Sequence, residues 1–355
     1  SRGGKLKAIV HIGTEKTGTT YIQQFLYQNR RKLRSAGYHL LRCAGKKNNR
    51  ALPAYCIDDD KFDDFYRNEG VETIEERRAY KARFLNELKA EGASLSSTIK
   101  AVVISSEHFH SRIRTTEEMD NVQRLLSAFF DDIRIICYLR EQATTCASYY
   151  STDVQSGGED TFYQVMSRCT PENHYYNYFD MLANWERCFG PQTLDVALFD
   201  KQHFLNGDLL DDFTARLDPG LLGKLNKNVK IQNESLSPSG QILAMALNRA
   251  FPVQTSRSDI AALRGRCKKY VRRHMSGKGQ QPSPEVRQAI FEAFIPSNEL
   301  LRKKFFPEVA EIFAPPSGAE ATPLEIDDQF VDTLSGFLAY LRREGRNIFE
   351  PGEYS

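Results

Sequence analysis

At 355 residues the chain can bury a large core, either as one big α/β domain with helical additions or as two domains. With 41% hydrophobic and 26% charged residues it is neither disordered nor fibrous, and a net charge of +2 leaves no global field to recruit nucleic acid. Seven cysteines, at 43, 56, 137, 146, 169, 188 and 267, are scattered and form no CxxC pair, which points away from zinc and from a disulfide framework and toward a reducing compartment.

The first element is the apolar run Ala8, Ile9, Val10 and Ile12, short and β-branched, which reads as a buried strand. A loop follows, Gly13-Thr14-Glu15-Lys16-Thr17-Gly18-Thr19-Thr20, and then Tyr21, Ile22, Phe25, Leu26 and Leu33 recur at helical spacing until Gly37. Strand, glycine loop and helix make a phosphate cradle. Glycines let the backbone approach a ligand, and the first N–H groups of a helix lack partners while its dipole favours an anion. Lys16 adds a mobile cation and the threonines add hydroxyls. The nucleotide-triphosphatase pattern G-x-x-x-x-G-K-S/T is not met, because Lys16 precedes the second glycine, Gly18.

Residues 40–66 read as a polar loop with a solvated acidic cluster at Asp58, Asp59, Asp60, Asp63 and Asp64, part of an insertion before the second strand. Thr73 and Glu76 form a capping box for a helix through Leu88, closed by Gly92. Ala101 to Ile104 form the second predicted strand, which runs into SSEHFH. Ionisable residues at the carboxyl end of such a strand face the ligand crevice, making Glu107, His108 and His110 candidates for proton transfer. Thr115 and Glu118 start another helix, and Ile133 to Leu139 form a third strand that ends in Arg140. Ser148 stands eight residues after Arg140; an arginine there can grip a phosphate bidentately and the serine can add a hydroxyl.

Farther on, HYYNYFDMLANWERCFG reads as a helix over 174–190, followed by a strand over 193–199. Lys224 to Pro238 form a polar loop that carries Lys227, Lys230 and Asn233, and Asn233-Glu234-Ser235 within it is a formal glycosylation acceptor. Ser237 caps and Pro238 starts the next helix. Ile260, Leu263, Cys267 and Val271 make the apolar stripe of a helix rich in Arg and Lys, and further helices begin at Pro284 and span 331–341. No stretch approaches the roughly 20 apolar residues of a membrane span, and no signal-peptide core is seen.

The KTGTT loop after the first strand resembles the 5′-phosphosulfate loop of sulfotransferases that use 3′-phosphoadenosine 5′-phosphosulfate (PAPS). The Arg140–Ser148 spacing resembles that family's 3′-phosphate site, SSEHF its glutamate base in enzymes acting on glycans, and the stretches 174–200 and 298–315 resemble bacterial members. The resemblance implies a P-loop-like parallel sheet flanked by helices, the sulfotransferase fold, in one domain over 1–355. Its α/β nucleotide-binding core would span 7–220 with an insertion at about 40–95, and 221–355 would be mainly helical.

It further implies transfer of a sulfuryl group from PAPS to an acceptor hydroxyl, releasing adenosine 3′,5′-bisphosphate (PAP), with no metal. Thr14 to Thr20 would hold the donor, Lys16 would act in catalysis, Glu107 would be the base with His110 or His108 as fallback, and Arg140, Ser148, Lys230 and Asn233 would complete nucleotide binding. The family's R-K-G form is absent from that last loop. The acceptor is expected to be a carbohydrate or glycoconjugate, without nucleic acid or an integral membrane segment. A cytoplasmic bacterial setting is expected ahead of a Golgi-lumenal domain parted from its anchor, while oligomeric state is not legible. A nucleotide kinase, binding ATP with magnesium, and a non-catalytic nucleotide- or glycan-binding protein are the alternatives.

Overall fold

The computed structural model describes residues 6–231, 235–251, 253, 256–317 and 328–346. By internal contacts the chain divides into two compact units: Ser1–Arg140, His174–Ile231 and Pro296–Phe313 form the first, and Glu141–Asn173, Gln232–Ile295 and Ala314–Ser355 the second.

The first unit holds a parallel sheet of five strands: β1 (Lys7–His11), β2 (Tyr38–Leu40), β3 (Ala101–Ser105), β4 (Asp132–Leu139) and β5 (Leu194–Leu198), in the order β2-β3-β1-β4-β5. Ile9 pairs with Val103 on one side and Arg134 on the other, so β1 is central. Ala8, Val10, Ile104 and Ile135 are at most 0% exposed, as expected of parallel strands covered on both faces. The chain leaves β3 and β4 on opposite sides of β1. That makes the carboxyl end of β1 the switch point, where open α/β sheets form their crevice.

Most predicted elements appear. Thr73 closes a full capping box on Ile74–Ala93, Thr115 accepts the amide of Glu118 to start Thr116–Phe129, and Ser237 accepts that of Gly240 ahead of Pro238–Ala250. Four expectations are corrected. The single helix expected up to Gly37 is two, α1 (Thr19–Gln28) and α2 (Arg30–Ser35). Buried Asn29 separates them: its amide nitrogen donates to the Phe25 and Asn226 carbonyls, each at 2.9 Å, and its oxygen accepts the Asn226 amide at 2.8 Å. The three-residue β2 was too short to signal itself.

The expected loop over 40–66 contains the helix Ala51–Cys56 and leads into Asp64–Asn68. Its acidic cluster is largely paired rather than merely solvated. Asp63 and Asp64 meet Arg50 and Arg112, and Asp59 meets Lys81 at 2.7 Å. Finally, the helix expected from residue 174 begins at Tyr178, because the Asn177 side chain accepts the Asp180 amide and caps it there.

In the second unit Leu263, Cys267 and Val271 of the helix Ser258–His274 are fully buried, as their stripe predicts. Part of that helix's charge is tied down within the unit: Arg264 donates to Asn248, Arg272 to Gln155, and Arg266 pairs with Glu344 at 2.9 Å. All seven cysteines are free thiols, and Cys137 is a buried residue of β4. Among the described residues no helix is long and apolar enough to cross a membrane.

Candidate functional site

The loop after β1 is built onto β4. The Thr14 amide donates to the Tyr138 carbonyl at 2.8 Å and the Tyr138 amide to the Gly13 carbonyl at 2.7 Å, extending the ladder beyond the strand. The Thr14 hydroxyl reaches the same Tyr138 carbonyl, and the Thr17 hydroxyl donates to the Thr14 carbonyl at 2.6 Å. These two buried threonines therefore shape the loop from inside. Thr19 is buried and Thr20 exposed.

Lys16 and Gly18 both have positive φ, 67° and 71°. For Lys16 that is a conformation an L side chain adopts at a cost. Gly18 is the N-cap of α1, no side chain caps that helix and its first turn has no acidic residue, so the positive end of its dipole is not offset from within the helix. A Cβ on Gly18 would lie 2.6 Å from the Leu209 Cδ2, so that methyl would have to shift, and the positive φ itself favours glycine there.

Arg140, at the end of β4, donates to the Lys16 carbonyl at 3.1 Å, while its own carbonyl accepts the Tyr178 hydroxyl at 2.6 Å. Its guanidinium lies 5.6 Å from the centre of the Phe199 ring. Burial first, and then the nearby Arg140 charge, push the Lys16 ammonium below the ordinary lysine range, against the opposing pull of Glu15.

Glu107 follows β3 and sits against the loop: a Cβ on Gly13 would come within 3.2 Å of the Glu107 Cβ. Its Oε2 accepts from Gln23 Nε2 at 2.8 Å and its Oε1 from Asn48 Nδ2 at 3.0 Å. Gln23 also donates to the Ser105 hydroxyl at 3.2 Å, which in turn lies 2.9 Å from His11 Nδ1. Burial raises the Glu107 carboxyl above its usual range even though Gln23 stabilises the charged form.

His110 is placed differently. The Glu15 amide donates to its Nδ1 at 3.1 Å, so Nε2 carries the proton and donates to the Tyr175 carbonyl at 2.7 Å. Both nitrogens are engaged with main chain, and burial lowers the ring to about 4, keeping it neutral. His108 is likewise held neutral, at about 3, by burial, with its Nδ1 3.3 Å from Asn48. Glu15 accepts the Tyr175 hydroxyl at 2.7 Å. Burial works against its charge, but the His110 ring and that hydroxyl bring it below the ordinary carboxylate range.

The structure thus gathers Thr14 to Thr20, Glu107, His110 and Arg140 at one end of the sheet. Ser148 is half-buried on the helix Gln142–Ser156 of the second unit. Lys230 is exposed, Lys227 is paired with Asp208 and Asp211 at 3.1 and 2.8 Å, and Asn233 and Glu234 lie outside the described residues. Among the described residues no group of three or more His, Cys, Asp or Glu side chains could hold a metal ion.

Sequence reasoning missed Gln23 and Asn48. Gln23 did carry a signal, a polar residue set between Ile22 and Phe25 on the buried stripe of α1; Asn48 carried none.

Residues 6–198 match the family model described as a sulfotransferase domain. An uncharacterized protein of Archaeoglobus fulgidus is 28% identical over 118 residues, covering 32% of this chain and 30% of that protein, so the match spans less than a third of the curated relative. A sulfotransferase from Alicyclobacillus acidocaldarius aligns in structure with a TM-score of 0.42 at 16% identity, over 84% of this chain and 94% of the other. A sulfotransferase domain from the curacin biosynthetic pathway aligns with a TM-score of 0.34 at 10% identity, over 94% and 99%.

Proposed function

The chain belongs to the sulfotransferase family, and on that premise we propose that it transfers the sulfuryl group of PAPS to a hydroxyl of a carbohydrate or glycoconjugate. The observation that carries this reading is the meeting of a helix N-terminus without a side-chain cap, Lys16, Arg140 and a half-buried carboxylate, Glu107, at the switch point of the sheet. The donor supplies an activated sulfuryl group on a phosphate leaving group.

The amides from Thr17 to Thr20 hold the 5′-phosphate, and Arg140 holds the 3′-phosphate. Glu107 takes the acceptor proton as the acceptor oxygen bonds to sulfur. The bond from sulfur to the bridging oxygen breaks, its electron pair stays on the 5′-phosphate, and Lys16 neutralises that developing charge. Catalysis of this kind is mostly positioning and charge stabilisation. Two of the carboxylate's roughly four lone-pair sites are occupied by Gln23 and Asn48, leaving room for the substrate hydroxyl. The raised Glu107 pKa brings the base nearer neutrality. His110, with both nitrogens engaged, positions the loop rather than moving the proton.

Calorimetry with PAP in the absence of magnesium, alongside ATP with magnesium, tests the donor site. Binding of PAP and not ATP is expected; the reverse would return the loop to a triphosphate cradle and a kinase. Lys16→Ala and Glu107→Ala should lose turnover while keeping PAP affinity better than Arg140→Ala does, and equal loss in all three would refute the separate roles.

A further inference from the structure

Tyr27 stands one helical turn beyond Gln23 on α1, so their side chains share a face. Three cations surround its ring: the Arg30 guanidinium at 4.4 Å from the centroid, Lys46 Nζ at 5.0 Å and Lys47 Nζ at 5.5 Å. All three are exposed, and among the described residues no carboxylate pairs with any of them. A carboxylate would cancel their charge; an aromatic ring holds cations through its quadrupole and leaves the charge available.

The lysines are held by a built turn. Gly45 has φ +133°, and a Cβ there would lie 2.1 Å from the Asn48 carbonyl oxygen. Asn49, 3% exposed, donates to the Leu41 and Gly45 carbonyls at 2.9 and 3.0 Å and accepts the Ser105 amide at 2.8 Å. The turn is thereby fixed to the end of β3, two residues before Glu107. Asn48, the next residue after Lys47, donates to Glu107 itself. Gln23, Tyr27, Lys46, Lys47 and Ser105 line one small cavity. Attraction of Lys46 for the Tyr27 hydroxyl lowers that phenol, a further sign of uncompensated positive charge.

The geometry points to an acceptor subsite in which Lys46, Lys47 and Arg30, gathered on Tyr27, bind an anionic substituent, carboxylate or sulfate ester, of a glycan whose hydroxyl lies at Glu107. This deepens the reading above and rests on it. An acidic sugar chain is favoured over nucleic acid because the platform adjoins the proposed base and the chain's net charge of +2 supplies no general field for a polyanion. The product of each transfer is itself an anion, so a chain sulfated at several positions presents the same chemistry.

The test measures binding of hexagalacturonate, maltohexaose and a single-stranded dT hexamer at low salt to the wild type, to Lys46→Glu/Lys47→Glu and to Lys46→Arg/Lys47→Arg, with PAP binding measured separately on each. The wild type should bind hexagalacturonate over maltohexaose and over the dT hexamer, the glutamate variant should lose about tenfold or more, and the arginine variant should retain binding. Unchanged hexagalacturonate affinity in the glutamate variant overturns the subsite, as does equal or absent binding of both hexasaccharides by the wild type. Equal binding of the dT hexamer, lost in the same variant, overturns it too, by revealing a general polyanion patch. PAP affinity should be the same in all three proteins; failure of the wild type to bind PAP would refute the donor reading instead.

Discussion

Replacing Gln23 with leucine removes the donor to Glu107 Oε2 while keeping a side chain of similar size in a site that is 5% exposed. Asn48 still serves Oε1, and Ser105 keeps its contact with His11; besides the longer donation to the Ser105 hydroxyl at 3.2 Å, the loss is the one hydrogen bond to the carboxylate at 2.8 Å. A hydrogen bond to a charged group contributes about 1.5–3 kcal/mol, and 1.36 kcal/mol is one pKa unit, so its loss should raise the Glu107 pKa by about 1–2 units further. The sign follows from which form it favours: Gln23 donates to the carboxylate, so its removal makes the proton harder to lose. A base must be ionised to act. The acid limb of kcat/KM against pH for sulfuryl transfer should therefore move about 1–2 units upward in Gln23→Leu, with the plateau at high pH much less affected. An acid limb that stays in place, or moves downward, in a folded variant would refute the assignment of Glu107 as the base held by Gln23.

Three further outcomes follow from the geometry. Gly18→Ala combines strain at φ +71°, about 1–2 kcal/mol, with a 2.6 Å approach to Leu209, so a lower Tm and weaker PAP binding are expected, and wild-type values for both would contradict the cradle. His11, His108 and His110 are lowered by burial from 6.5 to about 3, 3 and 4, so the unfolded chain takes up protons first as pH falls. Their contribution to stability is complete above about pH 6.5 and declines by up to about 1.4 kcal/mol per pH unit per histidine toward pH 4; a urea midpoint that does not fall between pH 7 and pH 5 would show that these rings are not kept neutral. Asn49→Ala leaves the Leu41 and Gly45 carbonyls and the Ser105 amide without their partner, at about 1–3 kcal/mol for each group that stays buried, and thermal melts should show a loss larger than for an exposed asparagine such as Asn228.

Local chemistry made much of this protein legible in advance. Apolar, β-branched runs mark β1, β3 and β4, interrupted inside only by Arg134 of β4, since strands covered on both faces need no alternation. Thr73, Thr115, Ser237 and the glycines of the loop act within a few residues of themselves, so helix starts and the phosphate cradle could be read directly. The corrections share the opposite cause. Asn29 ends a helix through Asn226, nearly two hundred residues away, and Tyr38 joins the sheet only because β3 lies beside it.

The candidate site divides in the same way. Sequence by itself determined that a glycine-threonine loop, a lysine, a glutamate after β3 and an arginine after β4 would stand at strand ends, because each follows its strand directly. Tertiary structure alone decided that His110 spends both nitrogens on main chain, that Gln23 and Asn48 hold the two oxygens of Glu107, and that Arg30, Lys46 and Lys47 converge on Tyr27. Apart from Arg30 and Tyr27, which are three residues apart, these are contacts between segments distant in the chain. No local periodicity encodes them, because a hydrogen bond or a charge acts on whatever the packed sheet and helices bring within a few ångströms.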